Sequence, residues 1–494
     1  MTQKIAKSRF LYRMAESFVP VMTWLIITLP IWLSPFRPAL TSYFILAFFV
    51  YFLYKSAKNI YYLAISYKLM TKAIKINWYK KLIKIDNHRK LIHYIIVTNY
   101  KETAEKLEET INKIKEQRYP KEKINIVLAM EEREGSDVYK RSKILSQKFK
   151  SEFAGFYTVF HKLKDNEVAG KASNETCAAK FVDKKIKQLK IDSKNVLITI
   201  CDADSLLPKD YLAFLTYEYL NDKERNFHFY WAPVLLYNNF WRLNLLVRVQ
   251  AILSSVLRLA FLSQKKDLIQ ISTYSTSLWL LKQVNFWDVD IIPEDWHIWL
   301  QAFFKFGEKV ETLPIYLPIK ADAVISRGLW QTFKSRYDQE RRWAWGASDI
   351  AYAIKRFFET PHIPSLIKIR KIFLLVETHL FWPTSFFILT LSASIPPLIN
   401  PVFKRTVLGF ILPKLSSFIL TVSSLLLIFI LYFDHKMREK VNIKTKIVYI
   451  PLLFIQWYFL PVISFLLSSL PALEAHTRIL LGKKLEYKVT EKIC

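Results

Sequence analysis

Two aspartates one residue apart, Asp202 and Asp204, follow the apolar run Val196–Ile200. Such a run indicates a strand buried on both faces, and ligands of open α/β sheets bind just beyond the carboxyl ends of these strands. Because side chains alternate along a strand, both carboxylates should point to one face. Two close oxygen ligands suit Mg²⁺ or Mn²⁺ carrying a phosphorylated substrate. An Asx-rich turn that ends the strand is the competing interpretation, and the motif alone does not decide between them.

A second acidic pair, Glu294 and Asp295, lies between Pro293 and Trp296. A proline followed by two acids in the first turn favours the start of a helix, which is the structural interpretation. The functional interpretation makes both acids candidate catalytic residues. Asp295 would then be the general base that deprotonates a hydroxyl group in line with a phosphate leaving group.

A lysine upstream of the aspartates, Lys171, follows Gly170. The surrounding residues do not form a phosphate-binding P-loop, because Asp165 stands in place of its glycine and Ala172 in place of its hydroxyl ligand. Lys171 is a candidate ligand-binding residue near the aspartates. The alternative is a solvated lysine at the start of a helix.

The stretch 339–343, with the sequence QERRW, precedes an apolar segment. Arg342 could hold a diphosphate as a fork, and Trp343 could stack against a sugar ring. A basic amphipathic helix beside the membrane would have a similar composition, and it is the alternative interpretation.

A soluble region, residues 93–370, must position these side chains. Apolar runs separated by a helical pattern predict βαβ units and an α/β, Rossmann-like, mostly parallel sheet. Glu102 lies in the loop after the first strand, where the base and ribose of a nucleotide bind in doubly wound sheets. Glu131 follows the second strand. The four predicted strands are His93–Thr98, Ile124–Met130, Phe156–Phe160 and Val196–Ile200.

Apolar segments flank this region and predict transmembrane helices. The expected domains are an N-terminal hairpin (1–56), a basic interfacial linker (57–92), the soluble domain (93–370), C-terminal helices (371–472) and a basic tail (473–494). Lysines on both flanks of the hairpin, and those of residues 436–446, place the catalytic domain in the cytoplasm of a multi-pass plasma-membrane protein. The tail's charge does not fit an external C-terminus, so the number of C-terminal crossings stays open. The predicted spans are Phe18–Leu33, Leu40–Leu53, Ile372–Ile395, Leu415–Phe433 and Ile447–Leu470.

The composition restricts the partners of the chain. It is 52% hydrophobic and carries a net charge of +30, which suits an anionic membrane surface or a phosphorylated substrate. No nucleic-acid-binding module is recognisable, so we expect no nucleic-acid partner. Cys177, Cys201 and Cys494 lack the spacing of a metal site or a disulfide framework, which indicates reduced thiols.

Taken in order, D-x-D, E-D and Q-x-x-R-W form a set. With this set the chain resembles the family 2 glycosyltransferases, specifically the membrane-embedded synthases related to cellulose, chitin and hyaluronan synthases. The resemblance covers residues 93–345 and extends to the flanking helices. It implies a GT-A fold, a nucleotide-diphosphate sugar donor with a UDP-sugar as the leading candidate, and a divalent Mn²⁺ or Mg²⁺ cofactor.

The resemblance also implies roles for individual residues. Asp202 would lie against the donor nucleotide and the metal, Asp204 would be the principal metal ligand, and Asp295 would be the base. Two departures concern the nucleotide subsite: members commonly have an aspartate pair where this chain has Glu131, and the loop of residues 99–102 is an imperfect match. The remaining assignments are Glu102, Glu131, Lys171 and Arg342 to the donor, and Gln339 and Trp343 to the acceptor.

A single base and direct displacement imply an inverting glycosyltransferase, so that an α-linked donor gives a β-linked product. The predicted function is synthesis and export of a β-linked polysaccharide, with an accessory export or regulatory subunit as a candidate partner. One alternative is transfer of a single sugar to a polyprenyl phosphate or another lipid-linked acceptor. Another, from a different class, is a non-catalytic membrane scaffold or transport component.

Overall fold

A seven-stranded sheet forms the centre of the soluble domain. The computed structural model describes residues 2–438 and 451–485. The sheet has the strand order β3-β2-β1-β4-β7-β5-β8, and a separate two-stranded sheet pairs β6 with β9. The strands are β1 (Ile92–Thr98), β2 (Ile124–Glu131), β3 (Gly155–His161), β4 (Val196–Asp202), β5 (Phe229–Trp231), β6 (Val234–Leu235), β7 (Tyr274–Ser277), β8 (Thr312–Pro314) and β9 (Ile319–Lys320).

The predicted α/β sheet is confirmed, and the first four strands lie within two residues of their predicted bounds. Strands β3, β2, β1 and β4 are parallel, whereas β7 runs antiparallel to both of its neighbours and β5 pairs in parallel with β8. All eight residues of β2 are buried, as expected for a strand covered on both faces. Strands β5, β7 and β8 were not predicted from the sequence, because strands of three or four residues are too short to show a period.

The register of the parallel strands brings their carboxyl ends to one edge. Thr98 of β1 lies opposite Ala129 of β2 and Asp202 of β4. The end of β4 therefore lies beside the loop that follows β1, and Glu131 ends the next strand along the same edge.

The helices fall into two groups, those around the sheet and those of the apolar segments that flank the soluble domain in the sequence. Around the sheet and at its boundary lie α3 to α12, and α1, α2 and α13 to α19 form the apolar group. They are α1 (Thr2–Leu33), α2 (Pro38–Ile74), α3 (Trp78–Leu82), α4 (Ala104–Lys115), α5 (Ser136–Phe149), α6 (Lys171–Gln188), α7 (Tyr211–Asn221), α8 (Leu245–Phe261), α9 (Leu278–Gln283), α10 (Glu294–Phe306), α11 (Leu329–Ala344), α12 (Asp349–Glu359), α13 (Ser365–Thr390), α14 (Ile395–Ile399), α15 (Pro401–Lys404), α16 (Val407–Leu425), α17 (Leu427–Met437), α18 (Leu460–Ser464) and α19 (Leu470–Leu480).

Six helical segments in the described part of the chain are long and apolar enough to span a membrane. Five of them overlap the spans predicted from the sequence. The sixth, Leu245–Asp267, was not predicted; 61% of its apolar window is buried, against 17–28% in the others, so it packs inside the protein. The other five are Phe10–Leu33, Pro38–Ile74, Ser365–Thr390, Val407–Met437 and Pro451–Leu480.

Helix α2 joins the apolar group to the soluble domain. It continues for 37 residues to Ile74, so the second half of the predicted hairpin and the first half of the predicted basic linker are one element. It packs along α8, and after a short turn the ring of Trp78 stacks on Phe214 of α7 at 3.7 Å. Several charges used in the topology argument lie outside the described residues, as does one cysteine: Lys440, Lys444, Lys446, Lys488, Lys492 and Cys494.

Candidate active site

The D-x-D aspartates lie at the carboxyl end of β4, as predicted. The Asp202 side chain is 26% exposed, whereas Asp204 is buried and its Oδ2 accepts a hydrogen bond from the backbone N–H of Asp322 at 3.0 Å. A turn does follow the strand, since the N–H of Ser205 donates to the carbonyl of Asp202 at 2.9 Å. The Asp202 carboxylate, however, contacts side chains from other elements, so its surroundings are more than those of a strand-ending turn.

Lys171 lies at the centre of an acidic cluster. Its Nζ is 2.7 Å from Asp202 Oδ1, 3.3 Å from Glu294 Oε1 and 3.4 Å from Glu175 Oε1. Helix α6 begins at Lys171, as the alternative interpretation required, but the side chain is only 15% exposed and is not a solvated lysine. Glu175 was not predicted as part of the site, although it follows Lys171 by four residues and such pairs share one helix face.

Burial sets the protonation of this cluster. Burial lowers the pKa of Lys171, but Asp202, Glu175 and Glu294 outweigh it and raise the pKa above its ordinary value, so the lysine stays charged. Burial raises the pKa of Glu294 to about 7, against the opposing effect of Lys171. Burial also raises the pKa of Glu175. The cluster can therefore hold a proton at neutral pH.

The side chains present fit a divalent cation that is shared with a substrate. In residues 2–438 and 451–485, no three His, Cys, Asp or Glu side chains are arranged to enclose a metal ion. Mg²⁺ and Mn²⁺ at phosphate sites are commonly held by one or two carboxylates, with substrate phosphates and water as the other ligands. Asp202 and Asp204 match that donor set, with oxygen ligands at the edge of the sheet.

The second acidic pair starts helix α10, directly after Pro293. Asp295 Oδ2 accepts a hydrogen bond from the N–H of Ser272 at 2.9 Å, and Oδ1 accepts one from the N–H of Trp296 at 2.8 Å. Burial raises the pKa of Asp295, while these two hydrogen bonds oppose the rise. The carboxylate is thus held in one orientation, and Ser272, which binds it, also contacts Asp202.

A buried histidine on the same helix, His297, lies between two carboxylates. His297 Nδ1 is 2.9 Å from Asp349 Oδ1, and its Nε2 is 2.9 Å from Asp288 Oδ2. Burial lowers the pKa of His297, but the two carboxylates outweigh it and raise the pKa from 6.5 to about 9. Because the folded-state pKa is raised, this contribution to stability is complete below pH 6.5 and is lost as the pH rises to 9.

We therefore expect the free energy of unfolding of the wild-type protein to fall by up to about 3 kcal/mol between pH 6.5 and pH 9, relative to the change in His297→Gln. Thermal unfolding of both proteins in detergent micelles measures the difference. The exposed residue His362 offers the control substitution His362→Gln, which should follow wild type. Parallel pH curves for wild type and His297→Gln would refute the assignment.

The QERRW stretch lies on α11, which packs on α19 of the apolar group. The ring of Trp343 has two guanidinium groups close to it, with Arg258 of α8 at 5.5 Å and Arg336 at 4.8 Å from the ring centre. Gln339 Oε1 accepts a hydrogen bond from Arg336, which also pairs with Glu340. The predicted acceptor residues thus lie beside two buried guanidinium groups, and Trp343 itself is half-buried.

Arg342 lies on the same helix and is half-buried. The two guanidinium groups beside Trp343 were not predicted. Arg336 precedes Trp343 by seven residues, which places the two on one helix face, whereas Arg258 reaches the ring from a distant part of the sequence.

The predicted nucleotide subsite lies further along the same edge. Glu131 is buried and pairs with Arg133, whose guanidinium lies 3.8 Å from the ring centre of Tyr100. Burial raises the pKa of Glu131, although Arg133 opposes the rise. Asn99 donates a hydrogen bond to the carbonyl of Ala129 at 3.0 Å, which holds the β1 loop against β2. Glu102, in the same loop, is half-buried.

One family model matches the chain. It is described as glycosyl transferase family group 2 and covers residues 197–433, from the strand that ends at Asp202 through both later motifs and into the C-terminal apolar helices. No curated protein matches.

Among solved structures, the chain is similar to the mannosyltransferase PcManGT from Pyrobaculum calidifontis in complex with GDP-Man and Mn²⁺. The TM-score is 0.43 and the identity 14%, over 89% of this chain and 100% of that chain. It is also similar to residues 1–349 of TarS from S. aureus in complex with UDP-GlcNAc. That TM-score is 0.36 and the identity 12%, over 68% of this chain and 91% of that chain.

The family match and the observed sheet together assign the class of the protein. The sheet is mixed and mostly parallel, with apolar helices on both sides of the domain in the sequence, as the GT-A prediction required. The match to an enzyme family favours a glycosyltransferase over a non-catalytic scaffold. The chain is a glycosyltransferase of the GT-A fold, and its residues 197–433 are similar to glycosyl transferase family group 2.

Proposed function

We propose that the chain is an inverting glycosyltransferase that moves a sugar from a nucleotide-diphosphate donor to a saccharide acceptor and forms and exports a β-linked polysaccharide. We assign catalysis to residues 93–370. The observation that carries the proposal is that Ser272 contacts both Asp202 and Asp295, the carboxylates that we assign to donor binding and to proton abstraction.

The donor's diphosphate belongs beside Asp202 and Lys171. A Mn²⁺ or Mg²⁺ ion held by Asp202 and Asp204 would offset the charge that develops on the leaving diphosphate. Lys171 is charged, is 2.7 Å from Asp202 and sits at the first residue of α6, so it can contribute a second positive charge to the same phosphates. We assign the guanidinium group of Arg342, which can donate two parallel hydrogen bonds, to the diphosphate.

The acceptor belongs on the side of Asp295. Asp295 takes the proton of the acceptor hydroxyl group. At the same time the hydroxyl oxygen forms a bond to the anomeric carbon, and the bond from that carbon to the diphosphate breaks. A displacement in one step inverts the anomeric centre. Trp343 and Gln339 are assigned to the acceptor sugar, for which the indole ring offers a stacking surface.

Helix α11, which carries Gln339 and Trp343, is hydrogen-bonded to the C-terminal helices. Arg341 Nη1 is 2.7 Å from Glu474 Oε1, and the Tyr337 hydroxyl donates to Glu474 Oε2 at 2.7 Å. Trp382 on α13 donates to Ser468 at 3.0 Å, which ties together two of the candidate spans. The acceptor-binding residues therefore lie next to helices that can cross a membrane. This placement supports a product that leaves through the membrane helices, because polar groups are costly in hydrocarbon.

The test uses sealed membrane vesicles of known orientation and a panel of nucleotide sugars with Mn²⁺. We expect one donor to release its nucleoside diphosphate in inside-out vesicles and not in right-side-out vesicles, because we place residues 93–370 in the cytoplasm of a multi-pass plasma-membrane protein. A long product that a β-glycosidase degrades supports polysaccharide synthesis.

Other outcomes of this test are equally informative. A single sugar on a lipid would replace the proposal with the lipid-linked alternative. Release in right-side-out vesicles alone would overturn the proposed orientation. Absence of release with every donor, in membranes where the folded protein is present, would overturn the proposed function.

A further inference from the structure

We propose that Ser272 is a positioning residue that fixes the metal-binding carboxylate of Asp202 relative to the base Asp295; this inference rests on the proposed function. Ser272 lies in the segment 270–273, between the end of α8 and the start of β7. Three side chains of this segment bind residues 202–205 on one side or residues 294–296 on the other.

The first set of contacts holds the end of β4. The Ser272 hydroxyl donates a hydrogen bond to Asp202 Oδ2. The next residue, Thr273, accepts a hydrogen bond from the backbone N–H of Asp202 at 3.2 Å and donates one to Ser205 Oγ at 2.8 Å. Both the backbone and the carboxylate of Asp202 are thus fixed by consecutive residues of this segment.

The second set of contacts holds the start of α10. The backbone N–H of Ser272 donates to Asp295 Oδ2 at 2.9 Å. Gln270 Nε2 donates to the Asp295 carbonyl at 3.0 Å, and Gln270 Oε1 accepts from Thr312 at 2.9 Å, which anchors the segment to β8. One residue, Ser272, therefore contacts both carboxylates.

The backbone of Ser272 supports a functional role for its side chain. Its φ is 64°, in the left-handed region that glycine adopts without cost and other residues rarely adopt. Strain of this kind persists where the surrounding structure fixes it, and it clusters at functional sites. Glycine would fit this backbone better, but it would lose the hydroxyl group that binds Asp202.

The chemistry requires a fixed distance between the carboxylates of Asp202 and Asp295. In a one-step displacement the departing diphosphate and the attacking hydroxyl must lie in line across the anomeric carbon, and a misplacement of about 1 Å can cost about 100-fold in rate. In this proposal Asp202 positions the diphosphate and Asp295 positions the attacking hydroxyl group. A residue that binds both carboxylates sets their separation before any substrate arrives.

Two substitutions separate the role of the hydroxyl group from the role of the backbone. Ser272→Ala removes the hydroxyl and keeps a side chain at positive φ, whereas Ser272→Gly removes the hydroxyl and suits that φ. Ser142→Ala is the matched control, because it removes a hydroxyl that donates to Thr158 at 2.9 Å in a different part of the domain. Electron paramagnetic resonance measures Mn²⁺ binding to the purified proteins, and donor turnover gives kcat and KM.

We expect Mn²⁺ affinity and kcat to fall about 10–100-fold in both Ser272 variants, the usual result of removing a group that orients a metal ligand. The KM for the acceptor and the thermal midpoint of Ser272→Gly should change little, and Ser142→Ala should match wild type in all four quantities. Ser272→Gly should unfold at a temperature no lower than Ser272→Ala.

Two results would overturn the inference while leaving the proposed function intact: wild-type Mn²⁺ affinity and kcat in both Ser272 variants, or recovery of both quantities in Ser272→Gly but not in Ser272→Ala. The second result would assign the effect to backbone strain. A wild-type protein that turns over its donor without binding Mn²⁺ would overturn the metal assignment and this inference together.

Discussion

Asp204→Asn is expected to abolish metal-dependent transfer while the protein remains folded in the membrane. The neutral amide is a poor ligand for a hard cation, so we expect an activity loss of more than about 100-fold. Asn has nearly the same shape as Asp, and its amide oxygen can still accept the hydrogen bond from the N–H of Asp322, which preserves this buried position. Mn²⁺-dependent release of nucleoside diphosphate from the donor measures the effect.

The matched control for this substitution is Asp210→Asn. Asp210 is also buried and pairs with Arg118, but it lies at the start of α7 and has no assigned role in catalysis. Asp210→Asn should retain Mn²⁺-dependent release per folded molecule, even if its thermal midpoint falls. Normal activity of Asp204→Asn at low Mn²⁺ concentration would contradict its assignment as the principal metal ligand.

Asp295→Asn is expected to lower kcat by about 10²–10⁴-fold while the donor binds nearly as in wild type. The base acts only on the acceptor proton, and its removal leaves the donor's contacts in place. The amide oxygen of Asn can keep one of the two hydrogen bonds that Asp295 accepts from Ser272 and Trp296. Separate measurements of donor binding and of kcat test whether turnover falls while donor affinity is kept.

Glu294→Gln is the informative comparison. Glu294 is 3.3 Å from Lys171, so its loss should change donor KM more than the loss of Asp295 does. If Asp295→Asn lowers donor affinity as much as rate, the acid has a structural role at the start of α10 and a different group is the base.

The sequence predicted the part of the fold in which apolar runs are long. Strands β1 to β4 have seven or eight residues each, and their positions were correct. Strands β5, β7 and β8 have three or four residues and depend on neighbours that are distant in the sequence, so no local pattern identifies them. The most apolar 18-residue window of Leu245–Asp267 has a mean hydropathy of 1.8, within the range of the other candidate spans, and only its packing shows that this segment is internal.

The site shows the same division between local and distant information. Asp202, Lys171, Glu294 and Asp295 were identified from their types and local patterns, and the structure brings them together, although their assigned roles remain predictions. Ser272 could not be identified in this way, because it meets Asp202 across 70 residues and Asp295 across 23. Arg258 likewise reaches Trp343 only through tertiary packing.

Helix α2 gives the enzyme a mechanical property. Its 37 residues extend about 55 Å, whereas the hydrocarbon core of a bilayer is roughly 30 Å thick. The excess length packs along α8, and the stacked rings of Trp78 and Phe214 continue the connection into the soluble domain. The soluble domain is thus connected to the apolar helices by one continuous helix and not by a flexible linker. We therefore expect a tilt of α2 in a membrane to move the soluble domain with it.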